Sequence, residues 1–178
     1  EPVMQHTRRT FLKRSAALGA LASLGPAAGT LLQASENKSK MKLGMVTYLW
    51  GQDWDLPTII ANCEKSGIEG VETRTTHAHG VEPTLSAAER KEVRKRFEDS
   101  PVLFVGPGTN ECFDNPDPAK LNAAIEATKA FIRLSHDCGG TGVKVKPNSF
   151  HKGVSQEITI AQIARSLNVV GKFAGEFG

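Results

Sequence analysis

Cysteine is scarce in this sequence of 178 residues. Cys63, Cys112 and Cys138 are the three cysteines, they lie far apart, and no CxxC pair is present. This pattern argues against both a disulfide framework and a cysteine zinc knuckle. The glycine-rich GxGxxG motif is also missing after the first apolar strand, where Tyr48-Leu49-Trp50-Gly51 stands instead. That absence argues against a dinucleotide-binding fold.

The sequence also lacks a strong excess of one charge once its first 40 residues are set aside. The whole chain has 22 Lys and Arg against 19 Asp and Glu, and residues 1–40 contain six of the basic and two of the acidic side chains. The remainder, residues 41–178, is therefore close to neutral. A near-neutral domain has no electrostatic footprint for nucleic acid, so we expect no nucleic-acid partner.

Residues 1–40 are typical of an export signal followed by a polar linker. The twin arginines Arg8 and Arg9 precede a weakly apolar run, residues 16–32, and small residues before Ser35 suit a cleavage site. Glycine and proline interrupt the run, so we expect a removed peptide and no membrane attachment afterwards. We therefore predict a twin-arginine signal peptide with linker at 1–40, a folded domain at 41–178, and a periplasmic or extracellular location.

Four strand–helix units follow one another in residues 41–178. Short apolar strands are predicted to begin near residues 42, 68, 102 and 142, and each precedes apolar residues at helical spacing. Capping residues mark the helix starts, at Asp55, Ser86, Asp117 and Thr159. The alternation predicts an α/β fold with a parallel sheet. Without a dinucleotide motif, we favour a (β/α) TIM-barrel type, represented by the first four of the usual eight βα units, and expect the N-terminal half of a longer protein.

Polar residues concentrate where the predicted strands end. The second strand begins at Ile68 and passes within ten residues into a polar loop that Gly80 closes. Because the carboxyl ends of parallel strands meet at one edge of the sheet, binding sites lie there. The four strand ends supply nine candidate substrate-binding residues: Tyr48, Trp50, Glu72, Arg74, His77, His79, Asn110, Lys146 and Asn148.

Each group of candidates has a functional and a structural interpretation. Aromatic rings after the first strand can stack on a sugar or pack over the barrel top. Glu72 can orient a histidine, accept from a sugar hydroxyl, or form an ion pair with Arg74 or Lys144. The polar residues after strands three and four can donate to hydroxyls or to a phosphate. His77 and His79 can face a metal or transfer a proton, or they can cap backbone groups of the loop.

The residues Lys65–Glu72, KSGIEGVE, together with His-Ala-His-Gly at 77–80 and the opening strand, resemble the xylose isomerase-like TIM barrels. That family includes sugar (phosphate) isomerases and epimerases and endonuclease IV-type repair enzymes. The resemblance covers Lys42–Gly178 and makes this segment the N-terminal half of such a barrel. It implies an isomerase or epimerase that moves a proton next to a sugar carbonyl and uses a divalent metal, Mn, Mg, Co or Zn.

The same resemblance places most metal ligands and acid–base carboxylates on strands five to eight, so the catalytic residues stay unknown. His79 loosely matches a metal histidine of the endonuclease-type members. Two alternatives stay open: an exported carbohydrate-binding barrel without catalysis, and an endonuclease IV-like phosphodiesterase, which export and neutrality disfavour. We expect a small-molecule carbohydrate as the partner and leave open a homo-oligomer.

Overall fold

The computed structural model describes residues 41–177. The predicted signal peptide and linker, residues 1–40, lie outside the described residues. Four strands alternate with four helices along the chain: β1 (Gly44–Val46), α1 (Leu56–Ser66), β2 (Gly70–Arg74), α2 (Ala87–Glu98), β3 (Leu103–Cys112), α3 (Pro118–Asp137), β4 (Lys144–Lys146) and α4 (Gln156–Ala174).

The strands form one parallel sheet in the order β1-β2-β3-β4. Strands that are neighbours in sequence are therefore neighbours in the sheet, as in a barrel, whereas the order of a doubly wound sheet reverses at a switch point. The sheet curls into a half-barrel with the helices on its outside. The predicted α/β fold of TIM-barrel type, with four βα units, is confirmed.

Local sequence signals determine where the helices begin. The Asp55 carboxylate accepts from the Thr58 N–H at 2.9 Å, and Ser86 forms a reciprocal capping box with Glu89. The fourth helix begins earlier than predicted. Its N-cap is Ser155, and Thr159 lies inside the helix, where its hydroxyl donates to the Ser155 carbonyl. The prediction of a capping box at Thr159 is therefore wrong.

The third strand is longer than its apolar run indicates. It continues through Gly106, Pro107 and Gly108 to Cys112, with a register irregularity opposite β2 at Val71/Glu72. This extension carries the strand to the polar residues that follow, so Asn110 lies within the sheet rather than in a loop.

The main core lies between the outer face of the sheet and the helices α1 to α3. Alternation points Val71 and Phe104 toward the helices, where Phe104 stacks on Phe97 with ring centroids 4.9 Å apart. Cys63 is fully buried in this core, as its helical position predicts. A second cluster joins α3 to α4 around Phe113. No helix among residues 41–177 has the length and apolar character needed to cross a bilayer.

Candidate ligand-binding site at the strand ends

The concave face of the sheet gathers charged and polar side chains at the carboxyl ends of β2, β3 and β4. Register places Arg74 beside Gly108, and Gly108 beside Lys144. The concave face therefore brings together residues that lie far apart in sequence, such as Glu72 and Lys144, which are 72 positions apart. We call this cluster the strand-end mouth; its members are Tyr48, Glu72, Arg74, Asn110, Lys144 and Lys146.

Glu72 forms an ion pair with Lys144 across the intervening strand β3. Gly108 lies between them, and a Cβ at that position would overlap the Glu72 carboxylate. Of the alternatives that the sequence leaves open for Glu72, the ion pair with Lys144 is therefore the one that the structure contains. Lys144 was not among the nine candidates, although its alternation with Lys146 along β4 indicates a shared face.

Arg74 and Lys146 converge on one neutral oxygen. The guanidinium Nη2 of Arg74 donates to Asn110 Oδ1 at 3.0 Å, and the Lys146 ammonium donates to the same oxygen at 3.2 Å. The Arg74 guanidinium also lies over the ring of Tyr48, 4.5 Å from its centroid. Within residues 41–177, neither cation has a carboxylate at ion-pair distance.

His79 is a buried structural residue of the β2–α2 loop. Its Nδ1 accepts from the Val81 N–H at 3.0 Å, so its Nε2 carries the proton and donates to the Arg74 carbonyl at 2.8 Å. Burial lowers the pKa of His79, although the hydrogen bond to Arg74 and the charge of Glu82 oppose this effect. Both ring nitrogens of His79 thus form hydrogen bonds with the backbone, which argues against the predicted weak match of His79 to a metal ligand.

His77 is less buried than His79. Its Nδ1 lies 3.1 Å from the hydroxyl of Thr47, which also accepts from the Arg74 N–H at 2.9 Å. No hydrogen bond to its Nε2 is found within the described part of the chain. The two histidine rings lie 6.0 Å apart and are tilted by 60°. Of the two candidates, His77 is thus the one with a ring nitrogen available to a ligand.

The two aromatic candidates after β1 are both exposed. Tyr48 has one ring face covered by Arg74, whereas Trp50 is 60% exposed and contacts Trp54 edge-on at a centroid distance of 6.0 Å. Trp50 therefore presents the larger free aromatic surface at this end of the sheet.

Asn148 belongs to a loop anchor that the sequence did not reveal. Its side-chain amide donates to Asp114 Oδ2 at 3.2 Å, and the same oxygen contacts the Ser149 N–H at 3.1 Å and His151 Nε2 at 3.0 Å. The Asp114 side chain is 2% exposed. Burial opposes its charge, but the hydrogen bonds outweigh burial and hold the pKa of Asp114 below its usual range.

This anchor joins the loop after β3 to the loop after β4. Gln162 of α4 reinforces it by donating to the Phe113 and Asn115 carbonyls at 2.8 and 2.9 Å. The amide of Asn148 is therefore engaged by the loop, and its role in substrate binding stays a prediction. The sequence signal that could have indicated the anchor is an aspartate directly after one strand and a histidine shortly after the next.

The described residues do not fit a divalent metal site. No group of three or more His, Cys, Asp or Glu side chains converges between residues 41 and 177. Of the three candidates with ligand chemistry at the end of β2, Glu72 and His79 are engaged by Lys144 and by the backbone, and His77 alone keeps a ring nitrogen available. The expectation of a metal in the whole protein stays a prediction from the resemblance.

Comparison with known proteins identifies the fold through solved structures. No family model and no curated protein matches the sequence significantly. A D-psicose 3-epimerase determined with D-fructose superposes with a TM-score of 0.63 at 19% identity, over 78% of this chain and 50% of that one. A D-psicose 3-epimerase from Clostridium cellulolyticum H10, determined with D-tagatose, gives 0.64 at 17% identity over the same shares.

A third solved structure is similar, the IolI protein with a bound zinc atom, with a TM-score of 0.57, 16% identity, and coverage of 75% of this chain and 49% of that one. The chain thus spans about half the length of these proteins. At such identities the similarity shows the fold alone. It supports the fold implied by the resemblance to the xylose isomerase-like TIM barrels.

Proposed function

We propose that residues 41–177 form a substrate-binding wall of a sugar isomerase or epimerase. The observation that carries the proposal is the convergence of Arg74, Asn110 and Lys146 at the strand-end mouth. In parallel α/β folds, ligands bind at this end of the strands. Two of the solved structures with this fold are named as sugar epimerases, and this supports carbohydrate as the ligand class.

In this proposal, the side chains of the mouth bind and orient the sugar. Arg74 and Lys146 donate to oxygen atoms of the substrate, and the exposed ring of Trp50 stacks on an apolar sugar face. The ion pair with Glu72 fixes Lys144 at the floor of the mouth. These contacts position the carbon next to the carbonyl, where isomerisation and epimerisation exchange a proton. The groups that take and return this proton are not assigned to residues 41–177.

The second candidate function is carbohydrate binding without turnover. The observation that favours it is the engagement of Glu72 and His79 in structural contacts, which removes two ionisable side chains of the second strand and its loop from proton transfer. Both functions predict sugar binding at the mouth. They differ in whether a proton next to the carbonyl exchanges with water.

Proton exchange in D2O separates the two functions. Protein from the complete gene is incubated with D-fructose or D-tagatose, with and without added Mn, Mg, Co or Zn, and followed by NMR. The enzyme function predicts loss of the proton signal next to the carbonyl and appearance of an epimer or isomer. Sugar binding without exchange under every metal condition would establish the second candidate instead.

Two variants test whether the activity depends on the strand-end mouth. Arg74→Gln should lower kcat/KM by about tenfold or more, since it removes a charged hydrogen-bond donor to the substrate. The matched control is Lys65→Gln. Lys65 is an exposed cation at the end of α1, before β2, and therefore lies at the opposite end of the sheet. Equal activity in both variants would show that Arg74 does not contribute to the substrate-binding site.

We also propose export by the twin-arginine route, on the basis of residues 1–40 alone. Replacing both Arg8 and Arg9 by lysine keeps the charge and changes the signal. Cell fractionation should then find the unprocessed protein in the cytoplasm, whereas the natural sequence should be found outside it. Unchanged location of the double variant would contradict this route.

A further inference from the structure

We propose that the strand-end mouth binds an oxyanion group of the substrate, a phosphate ester or a carboxylate, between Arg74 and Lys146. This inference rests on the proposed function for the sugar that carries the anion, but the anion site itself rests on geometry. It narrows the substrate class from carbohydrates in general to acidic sugar derivatives.

The charge balance of the mouth carries the argument. Three cations lie on the concave face, and Glu72, the one carboxylate among residues 41–177 that pairs with any of them, forms its ion pair with Lys144. Arg74 and Lys146 instead share the oxygen of a neutral amide. Two cations held against one oxygen repel each other, and a bound anion would remove this repulsion.

Besides Glu72, the acidic residue to consider at the mouth is Glu111, whose pKa is affected by the charge of Lys146. It does not form an ion pair with Lys146, and burial raises the pKa of its carboxyl group, while the charge of Lys146 acts in the opposite direction. The pair of cations therefore has no direct carboxylate partner among residues 41–177.

The Arg74 guanidinium is already oriented. Tyr48 supports one face of its plane, and Asn110 fixes one terminal nitrogen. A planar guanidinium offers five N–H donors, and Asn110 uses one of its nitrogens, which leaves donors for a phosphate or carboxylate oxygen. Such preorganisation lowers the entropic cost of binding.

The position also distinguishes this site from the common phosphate site of (β/α) barrels. That site lies in the loops after strands seven and eight. The cations here extend from the second and fourth strands, with the third strand supplying Asn110 between them. A substrate anion held here would set the orientation of the sugar from the N-terminal half of the barrel.

The test measures anion binding directly by isothermal titration calorimetry on the full protein. Inorganic phosphate, fructose 6-phosphate, gluconate and fructose serve as probes. We expect the three anions to bind more tightly than fructose, with an affinity that falls as salt concentration rises. The stronger of fructose 6-phosphate and gluconate identifies the natural anion as a phosphate or a carboxylate.

Two kinds of variant locate the site. Arg74→Gln and Lys146→Gln should each weaken phosphate binding about tenfold or more, whereas Lys65→Gln should leave it unchanged. Asn110→Asp keeps both cations and places a carboxylate between them, so it should abolish anion binding without removing a positive charge. This variant also keeps the test valid if loss of Arg74 prevents folding, because a new ion pair should stabilise the mouth.

Two results would overturn the inference: no preference for anions over fructose, or phosphate binding that Asn110→Asp leaves unchanged. The outcome is separable from the proposed function. Anion binding without proton exchange on any sugar would rule out the enzyme function and support the anion site. Proton exchange of fructose 6-phosphate at a rate unaffected by Asn110→Asp would support the enzyme function and rule out the anion site.

Discussion

The ammonium of Lys144 on β4 donates to the carboxylate of Glu72 on β2, across the intervening strand β3. The two side chains meet above Gly108, whose missing side chain provides the space. The pair neutralises one carboxylate and one ammonium on the concave face. Within the described part of the chain, Arg74 and Lys146 are then the cations of the mouth without an acidic partner. The arrangement of the mouth therefore depends on one glycine.

Gly108→Ala should disrupt this pair. The added methyl group overlaps the Glu72 carboxylate, which must swing away from Lys144, and losing this partly exposed ion pair costs up to about 1 kcal/mol of unfolding free energy. Gly142→Ala is the control, because a Cβ there meets no atom within 4 Å, and it should be neutral or slightly stabilising. Urea unfolding measures both. Equal midpoints for the two variants would contradict the expected loss of stability.

Two fully buried threonines should respond oppositely to valine. The Thr47 hydroxyl accepts from the Arg74 N–H and contacts His77, so Thr47→Val should destabilise the fold by about 1–3 kcal/mol. The Thr73 hydroxyl is buried without a hydrogen-bond partner among the described residues, so Thr73→Val should be neutral or stabilising by up to about 1 kcal/mol. Thermal unfolding measures the stability of both variants. A loss of stability in Thr73→Val would contradict the conclusion that the buried Thr73 hydroxyl lacks a hydrogen-bond partner among the described residues.

His79 should make stability depend on pH in the acid range. Its pKa in the folded state lies below the ordinary value of about 6.5 because burial favours the neutral ring, so the unfolded chain binds its proton first as the pH falls. The contribution of His79 to stability is complete above the unfolded pKa and is lost as the pH falls through the folded pKa. His79→Gln should therefore unfold more easily at neutral pH and show a flatter pH dependence.

Urea midpoints measured from about pH 7.5 to pH 5.5, above the range where most carboxylates titrate, give this dependence. His136→Gln serves as the control, since His136 is an exposed residue of α3 and its loss leaves the His79 contribution intact. The same slope in the natural sequence and in His79→Gln would contradict the assigned role.

The Asp114 anchor should protect the loop after β4 from proteolysis. Asp114→Asn removes the negative charge that three donors approach, so the loop should open more often and trypsin should cleave faster after the exposed Lys152. Asp53→Asn, an exposed substitution in the loop after β1, is the control. Identical cleavage rates at Lys152 in both variants would show that Asp114 does not hold this loop.

Much of the fold follows from local sequence signals. The caps at Asp55, Ser86 and Asp117 and the alternation of apolar strands with helical stripes predict the order of elements, because these signals act within a few residues. The length of β3 does not follow, since Gly106-Pro107-Gly108 is typical of a turn and continues as a strand here only through pairing with β2 and β4.

The sequence indicates where the candidate residues lie but not which contacts they make. The predicted strand ends indicate where Arg74 and Lys146 lie. The different roles of His77 and His79 do not follow from the sequence, because they depend on which of the two rings hydrogen-bonds to the backbone of the loop. The partner of Glu72 depends on a gap at Gly108 that only the sheet register reveals. The contacts of Glu72 with Lys144 and of His77 with Thr47 join residues far apart in sequence, and no local pattern encodes them.

The central claim, that the strand-end mouth is a ligand site for an acidic sugar, is tested most directly by NMR. The isotopically labelled full protein is titrated with fructose 6-phosphate, and backbone amide shifts are mapped. We predict saturable shifts concentrated at residues 47–50, 72–76, 108–111 and 144–146, and their loss in Asn110→Asp. Shifts that avoid these four strand ends, or an absence of shifts at millimolar ligand, would contradict the claim.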